Sequence, residues 1–312
     1  MPESSDLLAV TMIPSVPAPG DFVTVDLQSY QNDLNKATIS WTLNKGAPQT
    51  ARGLKHFEFS VGGVGSVTTL LIRIQTYEGE TISRNISIRP GNIDLLWEAS
   101  TYAPPLYPGK TLYTPQSDVK IVAMPNLVDE RGVKIDSKDL IFEWKLNGKL
   151  LQDSSGFGKD VIFVTGPSVI KTMVIDVVAS SLSGNTKAKG NLSLNETSPF
   201  VLFYENNPLL GTFYEKALPS EFTLAGKEIT LTAVPFFFST LKRDSNIFYS
   251  WTLNGNVVPE ETRSAITLRK DTQEAGESAI GLEVKSVGKI FQFSRNSLLM
   301  KFGETVAPSA TF

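Results

Sequence analysis

The chain offers few side chains that could do acid–base or nucleophilic chemistry. Its only histidine, His56, lies in Gly53-Leu-Lys-His-Phe-Glu-Phe59, an alternating stretch typical of a β-strand. A catalytic triad would need this histidine between a nucleophile and an orienting carboxylate, and nothing in the sequence supports that geometry. There are no cysteines, which excludes thiolate catalysis, disulfides and cysteine-based zinc sites. We therefore predict no catalytic residue, no cofactor and no enzymatic activity.

An acidic segment is the strongest candidate for a metal site. Its carboxylates are those of Asp129, Glu130, Asp136 and Asp139. Calcium takes roughly six to eight oxygen ligands at close range, and loops between β-sandwich modules sometimes supply them. Three basic residues interleave with these acids: Arg131, Lys134 and Lys138. A solvated loop that neutralises itself is the preferred interpretation, and a weak calcium site is the alternative.

Charge and composition restrict the partners and the compartment. A formal net charge of −3 over 312 residues leaves no basic surface for nucleic acid. No apolar run approaches the ~18 residues of a membrane span. The lack of cysteine favours an extracellular or cell-envelope location in a bacterium. The first ten residues lack the features of a signal peptide, so we expect that the targeting segment is not present in this chain.

Three short passages are near copies of one another. They are Ile39-Ser-Trp-Thr-Leu-Asn-Lys-Gly46, Phe142-Glu-Trp-Lys-Leu-Asn-Gly148 and Tyr249-Ser-Trp-Thr-Leu-Asn-Gly255. Apolar and polar residues alternate in each, which places the tryptophans Trp41, Trp144 and Trp251 on the core face of a strand. Each strand then stops at an asparagine followed by glycine or Lys-Gly, a sequence suited to a tight hairpin turn. We predict that these tryptophans form the structural cores of three repeated units.

Further strands flank each copy. Alternating segments begin at Val23, Val119 and Ile229, and hairpins return along 82–88, 188–194 and 291–301. Short strands separated by Gly, Asn and Ser turns, without helical periodicity, predict all-β sandwiches. The predicted domains are 1–92, with a shorter first part, then 93–198 and 199–304, followed by a linker or tail at 305–312.

The tryptophan strand, its Asn-Gly turn and the late hairpin together resemble an Ig-like sandwich. They are similar in particular to the cysteine-free bacterial Ig-like and PKD-type modules of cell-surface proteins. The resemblance extends over about 7–302 and implies three tandem Ig-like antiparallel β-sandwiches in an extended array. It also implies a role in adhesion, spacing or envelope assembly rather than catalysis.

Two proline- and tyrosine-rich stretches, 100–117 and 206–226, distinguish the second and third modules from the first. Proline removes a backbone donor, so these stretches are predicted to be loops rather than central strands. Their apolar side chains are expected to be buried at joints with the preceding module, or else to bind a ligand: Tyr102, Leu106, Tyr107, Leu209, Leu210 and Tyr214. The run Pro235-Phe-Phe-Phe238 is likewise expected to be buried.

The function predicted from the sequence is a non-catalytic scaffold or adhesion segment that spaces or assembles surface structures. Its expected partners are neighbouring modules or other proteins. Two alternatives stay open: a carbohydrate- or protein-binding module that uses the aromatic loops, and accessory domains of a larger enzyme. Exposed aromatic side chains beside Tyr102 and Tyr107 would favour the binding module.

Overall fold

The computed structural model describes residues 8–168, 172–239, 247–259, 261–271 and 274–303. Leu7 and the predicted tail at 305–312 lie outside these ranges. The described residues form β-strands with two short 3₁₀ helices, Ser137–Asp139 and Gln152–Ser154. No helix in this part of the chain is long and apolar enough to cross a membrane. The architecture is that of tandem Ig-like β-sandwiches, as the sequence predicts.

The chain divides into two compact units. The first contains the described residues up to Leu96, with Ile121–Ile162 and Val174–Ser193. The second contains Trp97–Lys120, the described part of Phe163–Met173 and the described residues from Leu194 onward.

The first sandwich consists of two antiparallel sheets. Its strands are β1 (Leu8–Ile13), β2 (Phe22–Ser29), β3 (Thr38–Leu43), β4 (Gln49–Arg52), β5 (His56–Ser60), β6 (Thr68–Gln75) and β7 (Thr81–Ile88). One sheet has the order β1-β2-β5 and the other β4-β3-β6-β7. The alternating side chains of β2, β3 and β6 point between the sheets, where Val25, Trp41 and Ile72 are fully buried.

The strands of the second sandwich are β8 (Asn92–Ala99), β9 (Asp118–Asn126), β10 (Leu140–Leu146), β11 (Lys149–Leu150), β12 (Gly156–Phe157), β13 (Val161–Thr165), β14 (Met173–Ser181) and β15 (Lys187–Leu194). They form the sheets β13-β9-β8 and β11-β10-β14-β15, with β12 paired to β10.

The strands of the third sandwich are β16 (Phe200–Asn207), β17 (Gly211–Thr212), β18 (Glu221–Leu224), β19 (Glu228–Phe236), β20 (Ile247–Leu253), β21 (Asn256–Val257), β22 (Ala265–Arg269), β23 (Gly276–Ser286) and β24 (Phe293–Phe302). The sheet orders are β17-β16-β19-β22 and β18-β24-β23-β20-β21. The stretch 206–226 is therefore not a loop throughout, because β18 pairs in parallel with the edge of β24. Edge strands tolerate nearby prolines, which is why the composition misled the prediction.

The connection after the tryptophan strand begins in the same way each time. Asn44, Asn147 and Asn254 have φ angles of 50°, 50° and 48°, in the left-handed region. The second and third copies form the predicted two-residue turns, whereas the first has a longer connection, since Trp41 pairs with Gln49. Each asparagine side chain also accepts a hydrogen bond from a backbone N–H of the neighbouring strand, at 2.8–2.9 Å. Asparagine thus serves both the turn conformation and the pairing of the next strand.

Candidate functional site

The segment that follows β8, residues 100–117, packs against the third sandwich around 236–239, and this contact is called the joint. The N–H of Tyr102 donates to the carbonyl of Phe238 at 2.8 Å, and the N–H of Phe237 donates to the carbonyl of Tyr102 at 2.7 Å. Thr101 forms an antiparallel bridge with Ser239. Phe237 has a φ of 60°, a conformation that a bulky residue keeps only where its surroundings hold it. The joint therefore includes backbone pairing as well as side-chain packing.

Aromatic rings fill one side of the joint. The ring of Tyr107 meets those of Phe236 and Phe237 edge to face, with centroid separations of 6.0 and 5.7 Å. Phe200 stacks on Phe236 at 4.7 Å and meets Phe237 edge to face at 5.6 Å. The phenylalanine run is buried, as expected: Phe236 and Phe237 in this cluster, and Phe238 in the main core of the sandwich. These offset and perpendicular geometries are the favoured ones for aromatic pairs.

A fully buried glutamine joins the two sides through its side-chain amide. Gln292 Oε1 accepts from the N–H of Ser239 at 2.8 Å. Its Nε2 donates to the carbonyl of Pro115 at 2.7 Å and to Ser239 Oγ at 2.8 Å. Thr114 Oγ1, also buried, donates to the carbonyl of Phe237 at 2.9 Å. Buried polar groups of this kind are stable only when their partners are held in place.

A second polar contact lies where the joint meets solvent. The N–H of Phe291 donates to Gln116 Oε1 at 3.2 Å, and Lys289 Nζ donates to the Gln116 carbonyl. Lys289 Nζ also lies 4.0 Å from the carboxylate of Asp118. The loop between β23 and β24 is thus fastened to the segment 115–118 at several points.

Tyrosines line the remaining side of the joint. The rings of Tyr204 and Tyr214 have centroids 5.8 Å apart, and Tyr102 packs into the same cluster. Burial raises the pKa of Tyr102, and the neighbouring Tyr214 raises it further. Burial also raises the pKa of Tyr204. The hydroxyls therefore stay neutral at physiological pH, as packing at a joint requires.

Tyr113 gives a prediction for alkaline pH. The residue is fully buried, its hydroxyl has no hydrogen-bond partner among the described residues, and burial with Glu196 raises its pKa to about 12. An unfolded tyrosine titrates near ~10, so between these values only the unfolded chain loses its proton and stability falls as pH rises. We expect Tyr113→Phe to increase the free energy of unfolding by ~1 kcal/mol at pH 7, because an orphan hydroxyl is removed. The gain should widen from pH 10 to 11.5 in urea titrations, and a variant less stable than wild type at both values would contradict this.

The repeated tryptophans occupy equivalent positions. Trp41, Trp144 and Trp251 are each 0% exposed. Each indole N–H donates to a backbone carbonyl, of Leu54, Lys159 and Arg263 respectively, at 2.8–2.9 Å. Each tryptophan therefore combines a large buried surface with a satisfied polar group.

The predicted joint residues separate into two groups. Tyr102, Tyr107 and Tyr214 are half-buried and pack in the joint. The expectation that the leucines are buried there is wrong, because Leu106 and Leu210 are each 75% exposed and Leu209 is exposed as well. Leu106 lies at the tip of a turn in which the N–H of Tyr107 donates to the carbonyl of Pro104.

The position of the first tyrosine stretch also differs from the prediction. It was expected to lie against the preceding module, whereas its contacts described above are with Phe236–Phe238, later in the chain. The physical reason is that β8 ends at Ala99, where the chain turns toward residues of the third sandwich. Distance along the sequence from a first strand does not fix which neighbour a loop meets.

The carboxylates of the acidic segment are engaged with the chain itself. The N–H groups of Val133 and Arg131 donate to Asp129 Oδ1 at 2.9 and 2.8 Å, and these bonds hold the pKa of Asp129 below its usual range. Asp136 accepts from the N–H of Lys138 at 3.0 Å and caps a 3₁₀ turn that contains Asp139. Glu130 accepts from the Asn185 amide at 3.3 Å. Within the described ranges, no three such side chains are grouped to hold a metal ion.

Chelation tests this account of the acidic segment. We expect the melting temperature in EDTA to match that in millimolar calcium within about one degree, because the carboxylates of Asp129 and Asp136 already accept backbone hydrogen bonds. Differential scanning calorimetry would measure it. A rise of several degrees in calcium, lost in Asp129→Asn, would show that the segment is a metal site after all.

His56 is arranged unlike a catalytic histidine. Its Nδ1 lies 2.9 Å from Asp26 and its Nε2 3.1 Å from Glu58, on the exposed surface of β2 and β5. The hydrogen bond to Asp26, followed by that to Glu58, raises the pKa of His56. With a carboxylate at each ring nitrogen, neither nitrogen faces a nucleophile as a triad requires.

Comparison with known proteins identifies no family for the chain. It matches no protein-family model, and no curated protein matches it. Among solved structures it is similar to the three N-terminal domains of the Highly Immunogenic Outer Capsid protein (Hoc) of bacteriophage RB49, at 11% identity and a TM-score of 0.28, covering 96% of this chain and 99% of that one. The central fibronectin-III array of RIM-binding protein gives 13% identity and a TM-score of 0.31, covering 95% and 96%.

A third solved structure is the Bacteroides ovatus protein SGBP-B in complex with a mixed-linkage heptasaccharide. The identity is 12% and the TM-score 0.24, with 94% of this chain and 70% of that one covered. TM-scores of this size carry nothing about function. The strand order and registers of the chain itself show tandem Ig-like β-sandwiches.

Proposed function

We propose that this protein is a non-catalytic scaffold segment whose Ig-like sandwiches are held by structured joints. The observation that carries the proposal is the pair of buried hydrogen bonds, from Gln292 Nε2 to the carbonyl of Pro115 and from Thr114 Oγ1 to the carbonyl of Phe237, that bonds the third sandwich to the segment before it. Modules joined by flexible linkers do not need a buried amide between them. A rigid spacer benefits from one, because the hydrogen bonds of the amide are satisfied in only one relative geometry.

The buried hydrogen bonds of the joint select one geometry more than they add to its stability. Sliding the segment along the third sandwich would leave the carbonyl of Pro115 without Gln292 Nε2 and the carbonyl of Phe237 without Thr114 Oγ1. Each such orphan costs ~1–3 kcal/mol, so neighbouring geometries are disfavoured. The aromatic cluster, by contrast, would tolerate small displacements. Polar and apolar contacts therefore act together, the first selecting a geometry and the second stabilising it.

Backbone contacts of a related kind occur within the first compact unit. The N–H of Gly65 donates to the carbonyl of Pro90 at 3.1 Å, and Pro90 forms a parallel bridge with Lys187. A side chain at Gly65 would meet Val128 at 3.1 Å, and its φ of 74° suits glycine. These contacts support structured connections at more than one place in the chain.

The domain boundaries and the location belong to the same proposal. We place the sandwiches at 1–92, 93–198 and 199–304. We place the protein outside the cell or in the envelope of a bacterium, on the ground that a chain of 312 residues contains no cysteine. Adhesion to another protein is a second candidate function, and the exposed leucines at the loop tips, Leu106 and Leu210, favour it.

Amide hydrogen exchange tests the scaffold proposal. We expect the N–H groups of Tyr102 and Phe237 to exchange as slowly as those of core strands such as β19, since their hydrogen bonds cross the joint and open only when the joint opens. Gln292→Ala should speed their exchange at least about tenfold while β19 is unaffected. Gln28→Ala, on the exposed face of β2, is the matched control. Fast exchange at the joint in the wild-type protein would contradict the proposal.

A further inference from the structure

A polar depression lies on the outer face of the third sandwich, across β20, β23 and β24. Its volume is 550 Å³. Six of the residues that line it point outward from the three strands: Ser250, Thr252, Gly281, Glu283, Arg295 and Ser297. Gly281 lies in the middle strand, and the side chain of Thr252 leans over it, since a Cβ on Gly281 would lie 2.5 Å from Thr252 Oγ1.

The strand registers arrange this face in three rows. Thr252, Gly281 and Ser297 form the row of small side chains. Ser250, Glu283 and Arg295 form the next row, and Phe248, Lys285 and Phe293 form the third. Both phenylalanines are about half exposed on this outer face. Hydroxyl, carboxylate and guanidinium groups thus adjoin two accessible aromatic rings.

The equivalent face of the first sandwich has hydroxyls at Ser40 and Thr42, in the places of Ser250 and Thr252, but it lacks the glycine and the phenylalanines. With Trp41 matched to Trp251, the place of Gly281 is taken by Leu71. The places of Phe248 and Phe293 are taken by Thr38 and Thr81 in the same registers.

The second sandwich also carries a side chain at the register position of Gly281. There Asp176 stands in the place of Gly281, bonded by Asn191 at 2.9 Å and facing Lys189 at 3.7 Å. The fold therefore does not need a glycine or exposed phenylalanines at these positions. The depression is a local specialisation of the third sandwich.

The polar groups are held in place and directed across the sheet. Arg295 Nε donates to Glu283 Oε2 at 2.6 Å, and Lys285 pairs with the other oxygen of the same carboxylate. Both cations are thereby directed at Glu283, so the floor offers fixed hydrogen-bonding groups and a single net positive charge. Ser250, Thr252 and Ser297 add rotatable hydroxyls.

We propose that this depression binds a neutral glycan. A pyranose ring presents hydroxyls at its edge and C–H groups on its faces, and needs polar partners beside an aromatic platform. One ring over Gly281 can reach Glu283 and Arg295, while the next ring of a chain lies against Phe248 or Phe293. The volume and the mix of polar groups with a few aromatics are ordinary for a small-molecule site.

The test uses affinity gel electrophoresis of the whole protein in a panel of polysaccharides. The neutral members are β-glucan, xyloglucan, galactomannan, xylan and dextran, and the acidic ones are alginate and polygalacturonate. We expect at least one neutral polysaccharide to retard the protein. Its Kd, measured by calorimetry, should rise at least about tenfold in Gly281→Leu, which places the larger side chain of the first sandwich on the floor of the depression and displaces Thr252 Oγ1.

A second variant separates loss of the site from loss of the fold. Phe248→Thr with Phe293→Thr introduces the first sandwich's residues at exposed positions, and should also weaken binding about tenfold without changing the melting temperature. Phe157→Thr, an exposed phenylalanine on β12, is the control and should bind like wild type. Retardation by no neutral polysaccharide, by the acidic ones alone, or to an equal extent in folded Gly281→Leu would overturn the proposal.

Discussion

Replacing Trp251 with alanine is expected to lower the free energy of unfolding of the third sandwich by ~3–5 kcal/mol. The indole is fully buried, its ring lies 5.7 Å from that of Phe203, and its N–H bonds the carbonyl of Arg263. Alanine removes the packing, leaves a cavity and orphans the carbonyl. Urea unfolding followed by circular dichroism would measure the loss.

The fourth tryptophan provides the control. Trp97 is only partly buried, with Lys110 Nζ 3.5 Å from its ring centroid. Trp97→Ala should therefore cost only ~1 kcal/mol, the scale of an exposed cation–π contact with some packing. Equal losses for the two substitutions would contradict the assignment of Trp251 to the sandwich core.

Phe237→Ala should have an effect of similar size, located at the joint. The side chain is buried against Tyr107 and Phe200, so removing its ring should cost ~3–5 kcal/mol by the usual loss for a buried phenylalanine. Alanine keeps the N–H that bonds Tyr102 but loses the packing that holds a φ of 60°. We expect the amides of Tyr102 and Ser239 to exchange faster than those of β23.

An exposed phenylalanine gives the matched comparison for this substitution. Phe22→Ala, on the outer side of β2, should change stability by less than ~0.5 kcal/mol. A Phe237→Ala protein in which β23 and the joint lose protection equally would show that the joint is not a separate element. In that case the ring would belong to the sandwich core alone.

The strands that carry the tryptophans could be predicted because local pattern and tertiary burial agree there. Alternation alone places Ile39, Trp41 and Leu43 on one face, and the following asparagine satisfies both a turn and a neighbouring strand. No long-range information is needed for either inference. The same signals recur at Trp144 and Trp251, which is why the number of sandwiches could be read from the repeat.

The joint could be predicted only in part. The proline- and tyrosine-rich composition indicated packed loops. The buried hydrogen bonds of the joint, however, depend on Thr114 and Gln292, which are 178 residues apart. A single glutamine and a single threonine carry no periodic signal. Their burial follows from the meeting of two segments, which local sequence does not specify. The predicted burial of the leucines was wrong for a related reason. Leu106 lies at the tip of a turn with a φ of 66°, where its side chain projects into solvent.

The polar depression escaped sequence analysis because its signal is a comparison between repeats. Gly281 by itself is a glycine inside a strand, which usually marks only a weak point or a close approach. Its meaning emerges when the registers place Leu71 at the equivalent position of the first sandwich. Aligning the strands by structure, rather than by the tryptophan motif alone, would have revealed the difference.

The most direct test of the structured joint is a distance distribution between two spin labels. Since the chain has no cysteine, Lys120→Cys and Glu277→Cys, both exposed strand positions within the second compact unit, would carry the only labels. Pulsed electron paramagnetic resonance should give a single narrow distribution. Adding Gln292→Ala and Tyr107→Ser should broaden it, whereas Tyr77→Ser at an exposed site should not. A broad distribution in the otherwise wild-type protein would contradict a joint that fixes the geometry of the modules.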